Sequence, residues 1–308
     1  MKAQRRKPPA LREGDTVGVI APAAAIERDY LERGAAALSA MGYRVKVSAH
    51  ALDRAGILAG SDHDRAAEVN SFFADPDVKA VFCARGGYGC GRLLPLIDFA
   101  AIAREPKIFM GFSDATFILN ALIDNSATVA FHGPMAAMDF ARGLSDRAAA
   151  HLKRLLGDTT EGFALEARET IRPGVAEGDL IGGCLSVVVA TLGTPWAPNF
   201  DSRILFLEDT GEKAYRIDRM LVHLRHAGAL DQVAGIVFGA IRPFDGSDDE
   251  RRRIAEFIAE ATAGLRCPVL NGIEAGHGSE NLTLPFGGRV RLDGTGCRVI
   301  FTEPSVSG

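Results

Sequence analysis

Residues 107–125 read KIFMGFSDATFILNALIDN. The opening apolar run, Ile108-Phe109-Met110, has the length of a buried strand, and from Asp114 onward apolar residues return at helical spacing at Phe117, Ile118, Ala121 and Leu122. Between strand and helix lies Gly111-Phe112-Ser113-Asp114-Ala115, a G-x-S-x-A turn whose small residues let the chain reverse sharply. Such a turn presents Ser113 at the carboxyl edge of a sheet. There it sits at a helix N-terminus, where unpaired backbone N–H groups stabilise a developing oxyanion. On this stretch alone two readings stand side by side, a nucleophile elbow and a serine that only caps its helix.

Upstream, the β-rich run 17–22, a helical pattern over 27–41 ended by Gly42, an alternating strand at 43–47 and a helix over 62–73 lead to an apolar strand at 78–84. That strand runs straight into Arg85-Gly86-Gly87-Tyr88-Gly89-Cys90-Gly91. Strands alternating with helices imply parallel βαβ units, with the ligand crevice at the carboxyl ends of the strands. The glycine-rich stretch has neither dinucleotide nor Walker spacing, so a phosphate cradle is the weaker reading. A loop whose backbone N–H groups face a carbonyl oxygen beside Ser113 is the better one, and a plain flexible turn is the bland one. Residues 128–131 form another strand, followed by His132-Gly133-Pro134-Met135, which makes His132 a competitor for the role of general base. Residues 145–156 make an amphipathic helix, and the glycine- and proline-punctuated stretch 157–178 reads as a linker or crossover.

In the second half, the buried-type strand 203–207 ends in Glu208-Asp209, acids placed to orient a histidine. The bland reading is a charge at the N-terminus of the helix 214–226, which suits Asp209 better than Glu208. A strand at 233–240, a helix at 248–263 and a strand at 268–273 follow. The chain then enters Glu274-Ala275-Gly276-His277-Gly278-Ser279-Glu280-Asn281. His277, flanked by glycines, lacks the apolar setting of a core histidine and suits a loop that brings an imidazole to a site. The alternation over 287–301 is a hairpin through Asp293-Gly294.

Composition narrows the classes. The 308 residues are enough for two domains, and 47% hydrophobic with 24% charged residues is ordinary for a soluble globular protein. With 35 basic against 39 acidic residues the net charge is −4, which argues against nucleic acid or an anionic membrane as partner. The basic start, MKAQRRKPPALREGD, is not followed by a signal-length apolar run; a cytoplasmic protein with a tail disordered to about Leu11 is expected. The five scattered cysteines fit reduced, mostly buried thiols, with Cys90 a minor nucleophile candidate among its glycines.

Taken together, ARGGYG at 84–89, GFSDAT at 111–116, FHGPM at 131–135, GGCLS at 182–186, FLED at 206–209, YRIDRML at 215–221 and GHGSENLTLP at 276–285 resemble the LD-carboxypeptidase family, the muramoyl-tetrapeptide carboxypeptidases of murein recycling. The resemblance implies an α/β protein: a flavodoxin-like N-terminal domain with a parallel sheet (1–156), the linker 157–178, and a C-terminal α/β domain with a small barrel-like sheet (179–308). It implies a serine peptidase in which Ser113 is the nucleophile, His277 the base and Glu208 its orienting acid. The backbone N–H of Asp114 and one from Gly86 or Gly87 would make the oxyanion hole. It also implies a muropeptide substrate, no cofactor or metal, and a homodimer. Arg85 is a candidate for holding a substrate carboxylate, with Tyr88 beside it on the same loop; the bland reading of Arg85 is pairing with an acid at the sheet edge. Members often carry a serine after the first strand's proline, where this chain has Ala23. Three rivals remain: a microcin C immunity-type peptidase acting on adenylates, with Trp196 as a stacking residue; a non-catalytic two-lobed binding protein; and an α/β-hydrolase esterase, which the missing H-G-G-G motif disfavours.

Overall fold

The computed structural model describes residues 5–157 and 163–308. It resolves into two compact units, one of Met1–Thr160 with Leu282–Gly287 and Pro304–Gly308, the other of Glu161–Asn281 with Gly288–Glu303. The C-terminal stretch expected to be a single domain over 179–308 therefore gives two short segments to the first unit.

The first unit contains β1 (Thr16–Ile20), α1 (Arg28–Ala40), β2 (Arg44–Val47), α2 (Asp62–Ala74), β3 (Val78–Cys83), α3 (Phe99–Arg104), β4 (Ile108–Gly111), α4 (Thr116–Asn125), β5 (Ala130–His132) and α5 (Asp146–Leu156). Its five parallel strands take the order β2-β1-β3-β4-β5, which is the flavodoxin-like winding. β3 (VKAVFC) and β4 (IFMG) are covered on both faces, which explains why they read as near-continuous apolar runs. Phe82, Phe109, Met110 and Phe131 are fully buried, each contributing on the order of 2 kcal/mol of burial free energy. Gly34 on α1 is there for close packing: a Cβ would lie 2.0 Å from the carbonyl oxygen of Ala136.

The N-terminal segment is not a free tail. The Arg6 N–H donates to Ala127 O (2.7 Å) and Arg6 O accepts from the Val129 N–H (2.9 Å). Ala10 N–H donates to Ser307 O (2.9 Å), and Leu11 is buried in the core. Backbone pairing to distant partners thus orders residues that looked polar and proline-rich.

The second unit begins with β6 (Ala164–Glu166), β7 (Glu169–Arg172) and β8 (Val175–Cys184). Residues 164–178, expected as a linker, are thus strands of this unit; residues 158–162 of that stretch lie outside the described residues. Then come α6 (Leu185–Thr191), β9 (Ile204–Glu212), α7 (Ala214–His226), α8 (Ala229–Gln232), β10 (Gly235–Pro243), α9 (Asp248–Thr262) and β11 (Val269–Asn271). The chain next supplies the first unit with β12 (Leu284–Phe286), antiparallel to β5, before completing the second with β13 (Arg289–Asp293) and β14 (Arg298–Phe301). The eight strands of the second unit run β6-β14-β13-β8-β9-β10-β11-β7, with β8 to β11 parallel. The two edges, β6 and β7, are one stretch of chain. Ala167 N–H donates to Cys297 O on one side and Arg168 N–H to Asn271 O on the other, so the sheet curls toward closure like a small barrel.

Candidate active site

The first unit builds the surroundings of Ser113. The strand β4 ends at Gly111, where a Cβ would sit 2.9 Å from both the Ala115 Cβ and the Cys83 Sγ, so only glycine fits beneath the turn. Residues Ser113–Ala115 form one tight turn that runs into α4, and Ser113 itself holds φ at 60°. A left-handed backbone on a non-glycine residue costs roughly 1–2 kcal/mol and persists where the surroundings enforce it. The serine is thereby pushed out at the carboxyl end of β4, half-exposed, as the turn motif suggests.

The glycine-rich loop after β3 lies directly against it. A Cβ on Gly86 would be 2.8 Å from the Ser113 Cβ, 3.0 Å from its Oγ and 3.4 Å from the backbone nitrogen of Asp114. The Gly86 carbonyl accepts from the Ala24 N–H (3.3 Å). In a trans peptide the next N–H points the opposite way, so the Gly87 N–H faces away from Ala24. Gly87 and Gly89 take φ of 106° and 133°, values open to glycine.

Asp114 fastens the two turns together. Its buried carboxylate accepts from the Cys90 N–H (2.7 Å), so the residue after the serine holds the far end of the glycine loop. The fully buried Arg65 supports the same loop: its guanidinium donates to Pro22 O and to Asp62, and passes close under Gly89. Burial raises the Asp114 carboxyl above its ordinary value, outweighing the lowering bond from Cys90. The folded state then binds this proton more tightly than the unfolded chain. The stability it adds is complete below the unfolded value of about 3.9 and is lost as pH rises through the raised folded value. Asp114→Asn is expected to remove that part of the decline, read as a flatter dependence of urea midpoint on pH from about 4 upward.

Other expected residues divide clearly. Arg85 is half-buried and donates to Ala25 O (3.1 Å); among the described residues no carboxylate pairs with it and its buried Nε has no acceptor. Tyr88 is 51% exposed on the same loop. His132 is a core residue: fully buried at the end of β5, it stacks on Phe286 (5.2 Å) and meets the edge of Phe112 (5.8 Å). Its place in the apolar sheet interior corrects the reading of it as a base. Cys90 is likewise no nucleophile, since burial pushes its thiol far above the ordinary value and thiolate is the reactive form.

The second unit brings Glu208 and His277 together. Glu208, on β9, is fully buried, and its Oε2 accepts from the His277 Nδ1 (2.7 Å) and from the His277 backbone N–H (3.0 Å). A carboxylate only accepts, so Nδ1 carries a proton, and in the neutral ring Nε2 then keeps its lone pair. The route of the loop depends on two glycines. His277 follows β11 while Glu208 lies on β9, so the chain must cross the end of β10. At Gly239 of β10 a Cβ would be 2.7 Å from Ala275 O, and the Ala240 N–H donates to that oxygen (3.3 Å). Gly276, at φ 89°, passes so close that a Cβ would be 2.4 Å from Glu208 Oε2, and its N–H donates to Asn281 Oδ1 (2.9 Å). Asn281 is a supporting residue that the sequence reading left without a role. Its signal was its position four residues after His277, on a glycine-rich loop.

Asp209 serves a helix N-terminus, but of α6 instead of α7: it accepts from Ser186 N–H and Thr210 N–H, both at 2.7 Å. The start of α7 is met by Glu250, whose Oε2 accepts from the Ala214 N–H (2.6 Å). Among the described residues no group of three or more His, Cys, Asp or Glu side chains could hold a metal ion, and no helix is long and apolar enough to cross a membrane. The first unit thus carries a half-exposed serine beside backbone donors, and the second an imidazole held by a buried carboxylate.

Residues 17–133 match the model of the LD-carboxypeptidase N-terminal domain and residues 177–292 that of the LD-carboxypeptidase C-terminal domain. A probable murein peptide carboxypeptidase of Bacillus subtilis is 39% identical over 295 residues, covering 93% of this chain and 91% of that protein. The microcin C7 self-immunity protein MccF of Escherichia coli is 28% identical over 331 residues, covering 96% of this chain and 96% of that protein. The crystal structure of a muramoyltetrapeptide carboxypeptidase from Oxalobacter formigenes superposes with a TM-score of 0.81 at 31% identity, covering 92% of this chain and 97% of that one.

Proposed function

Because the chain belongs to the LD-carboxypeptidase family of peptidases, we propose that it is a serine carboxypeptidase releasing the terminal D-alanine from murein tetrapeptides in cell-wall recycling. The observation that carries this reading is the strained turn that lifts Ser113 out beside Gly86 and the Asp114 backbone N–H. Ser113 Oγ attacks the carbonyl before D-alanine. His277 Nε2 takes the Ser113 proton and passes it to the leaving amine, while Glu208 holds the imidazole in the tautomer this requires. The acyl-enzyme is then hydrolysed by water activated by the same imidazole. The developing oxyanion is received by the N–H groups of Asp114 and Gly87, the latter chosen because its peptide plane is set by the Gly86–Ala24 bond.

The direct test is incubation with muropeptides carrying tri-, tetra- and pentapeptide stems, with free D-alanine measured. Release from the tetrapeptide alone is expected; no release from it would overturn the reading. Gly86→Ala is expected to lower kcat about a hundred- to a thousandfold, because its new methyl displaces Ser113 from the oxyanion donors. Arg85, with donor capacity unused on its guanidinium, is proposed to grip the free carboxylate of the substrate. Arg85→Gln is expected to raise KM tenfold or more with a smaller change in kcat, measured by steady-state kinetics on the tetrapeptide.

A second reading, cleavage of an aminoacyl or peptidyl adenylate, draws on the likeness to MccF over nearly the whole chain. Turnover of an adenylate conjugate with no release from the tetrapeptide would select it. Trp196, its expected stacking residue, is half-buried just beyond α6.

A further inference from the structure

Arg65, on α2, is fully buried, and the chemistry proposed above makes no use of its charge. Taking a guanidinium out of water is costly, and an apolar side chain of similar size would pack the same space at no such cost. What sets Arg65 apart is its position. One Nη donates to Pro22 O and the other to Asp62 Oδ1, and among the described residues its buried Nε has no acceptor. The Nη that meets Pro22 lies directly beneath Gly89: a Cβ there would stand 2.6 Å from it and 3.3 Å from Cζ. The glycine loop therefore rests on the guanidinium. Pro22 leads into Ala24, whose N–H donates to Gly86 O, so Arg65 touches both segments that set the peptide plane of Gly87.

The countercharge lies on the far side. Asp62 is bonded to the other Nη, so the end beneath the loop meets a neutral carbonyl. Asp62 is also shared. The Nε of the exposed Arg92 donates to both of its oxygens (2.8 and 2.9 Å), and Arg92 Nη2 stands 2.7 Å from Oδ2. Two guanidiniums thus divide one carboxylate. Asp62, and after it the Tyr88 hydroxyl, hold the Arg92 guanidinium above its ordinary value, which ties the exposed tip of the loop to the same network. The other acid near the loop, Asp114, is committed to the Cys90 N–H. A cation behind N–H donors, where water is excluded, favours negative charge in front of them.

We propose that Arg65 is a positioning residue of the oxyanion site: its buried guanidinium fixes the height of the glycine loop against Ser113 and backs the loop's N–H donors with positive charge. The proposal rests on the reading of Ser113 as a nucleophile; which peptide is cleaved has no part in it.

The test uses the full chain and two readouts. One is kcat and KM for D-alanine release from the tetrapeptide, and the other is the rate at which a neutral phosphonate diester labels Ser113. Labelling builds negative charge at the same donors without depending on the substrate's identity. Arg65→Met, apolar and of similar length, is expected to lower kcat and labelling about a hundredfold, with KM held within about threefold. Arg65→Lys keeps the charge without the fork and should stay within about tenfold of the wild type. Asp62→Asn leaves an oxygen for Arg65 but removes the countercharge, so labelling should hold or rise by up to about threefold. A network that merely supported the fold would slow in all three variants. Arg65→Met within about threefold of the wild type in both readouts, or Asp62→Asn slowed as far as Arg65→Met, refutes the proposal. Should Arg65→Met not unfold cooperatively in urea, the other two variants decide: slower labelling of Arg65→Lys with unslowed Asp62→Asn sustains it, and equal slowing or none refutes it. An unsubstituted enzyme that is not labelled at all would lack the nucleophile, and the proposal falls with it. Labelling that depends on Arg65, with no D-alanine released by the unsubstituted enzyme, would remove the carboxypeptidase reading alone.

Discussion

Ser113→Ala is expected to lower D-alanine release by on the order of a millionfold, the scale seen when the nucleophile of a serine hydrolase is deleted. The same variant should no longer be labelled by a serine-directed phosphonate. Two substitutions separate chemistry from strain. Ser113 sits at φ 60°, a conformation that alanine tolerates no better than serine but glycine adopts freely. Ser113→Gly should therefore be as inactive as Ser113→Ala, yet more stable than it by about 1 kcal/mol in urea unfolding. Activity and stability moving in opposite directions is the mark of a residue held in an unfavourable backbone for its function. Wild-type kinetics for Ser113→Ala would end the mechanism proposed above.

Glu208→Gln should cost about ten-thousandfold in kcat, less than loss of Ser113 or His277, because an orienting group sets a tautomer and does not itself make or break a bond. The buried carboxylate takes two hydrogen bonds from His277, one from Nδ1 and one from the backbone. A glutamine of nearly the same volume can accept with its oxygen, but its amide can equally offer N–H to Nδ1. That alternative puts the proton on Nε2, where it blocks transfer from a serine. KM should change little, since the substrate does not touch this fully buried side chain. A loss of less than tenfold would show that His277 keeps its tautomer without Glu208, and the orienting role would fall.

Much of the first unit was legible because its information is local. Apolar runs such as 108–110 and 78–84 mark parallel strands buried on both faces. Helical spacing after Asp114 and the flanking Gly111 and Ala115 mark the elbow before any contact is known. Glu208 and His277 were found the same way, one as an acid ending an apolar strand and the other as a histidine without an apolar setting. In the folded chain the Glu208 carboxylate and the His277 imidazole lie 2.7 Å apart.

What local reading missed depends on partners far along the chain. Leu284-Pro285-Phe286 contains a proline and reads as no strand, yet it pairs with β5 some 150 residues earlier because it lies at the sheet edge, where a missing N–H is tolerated. β8 is rich in glycine, and its first residues, 175–178, read locally as the end of a linker. It is a strand because β13 and β9 pair with its two halves. His132 looked like a base because it follows a short apolar run, and only the rings of Phe112 and Phe286 around it show that it is core. The sequence by itself determined the alternation of strand and helix and the turn that exposes Ser113, since each is written in neighbouring residues. Tertiary structure alone decided which glycine carbonyl is tied back, which helix Asp209 serves and how a loop after β11 reaches a glutamate on β9. Those outcomes are set by backbone hydrogen bonds and close approaches between segments that no short window of sequence contains.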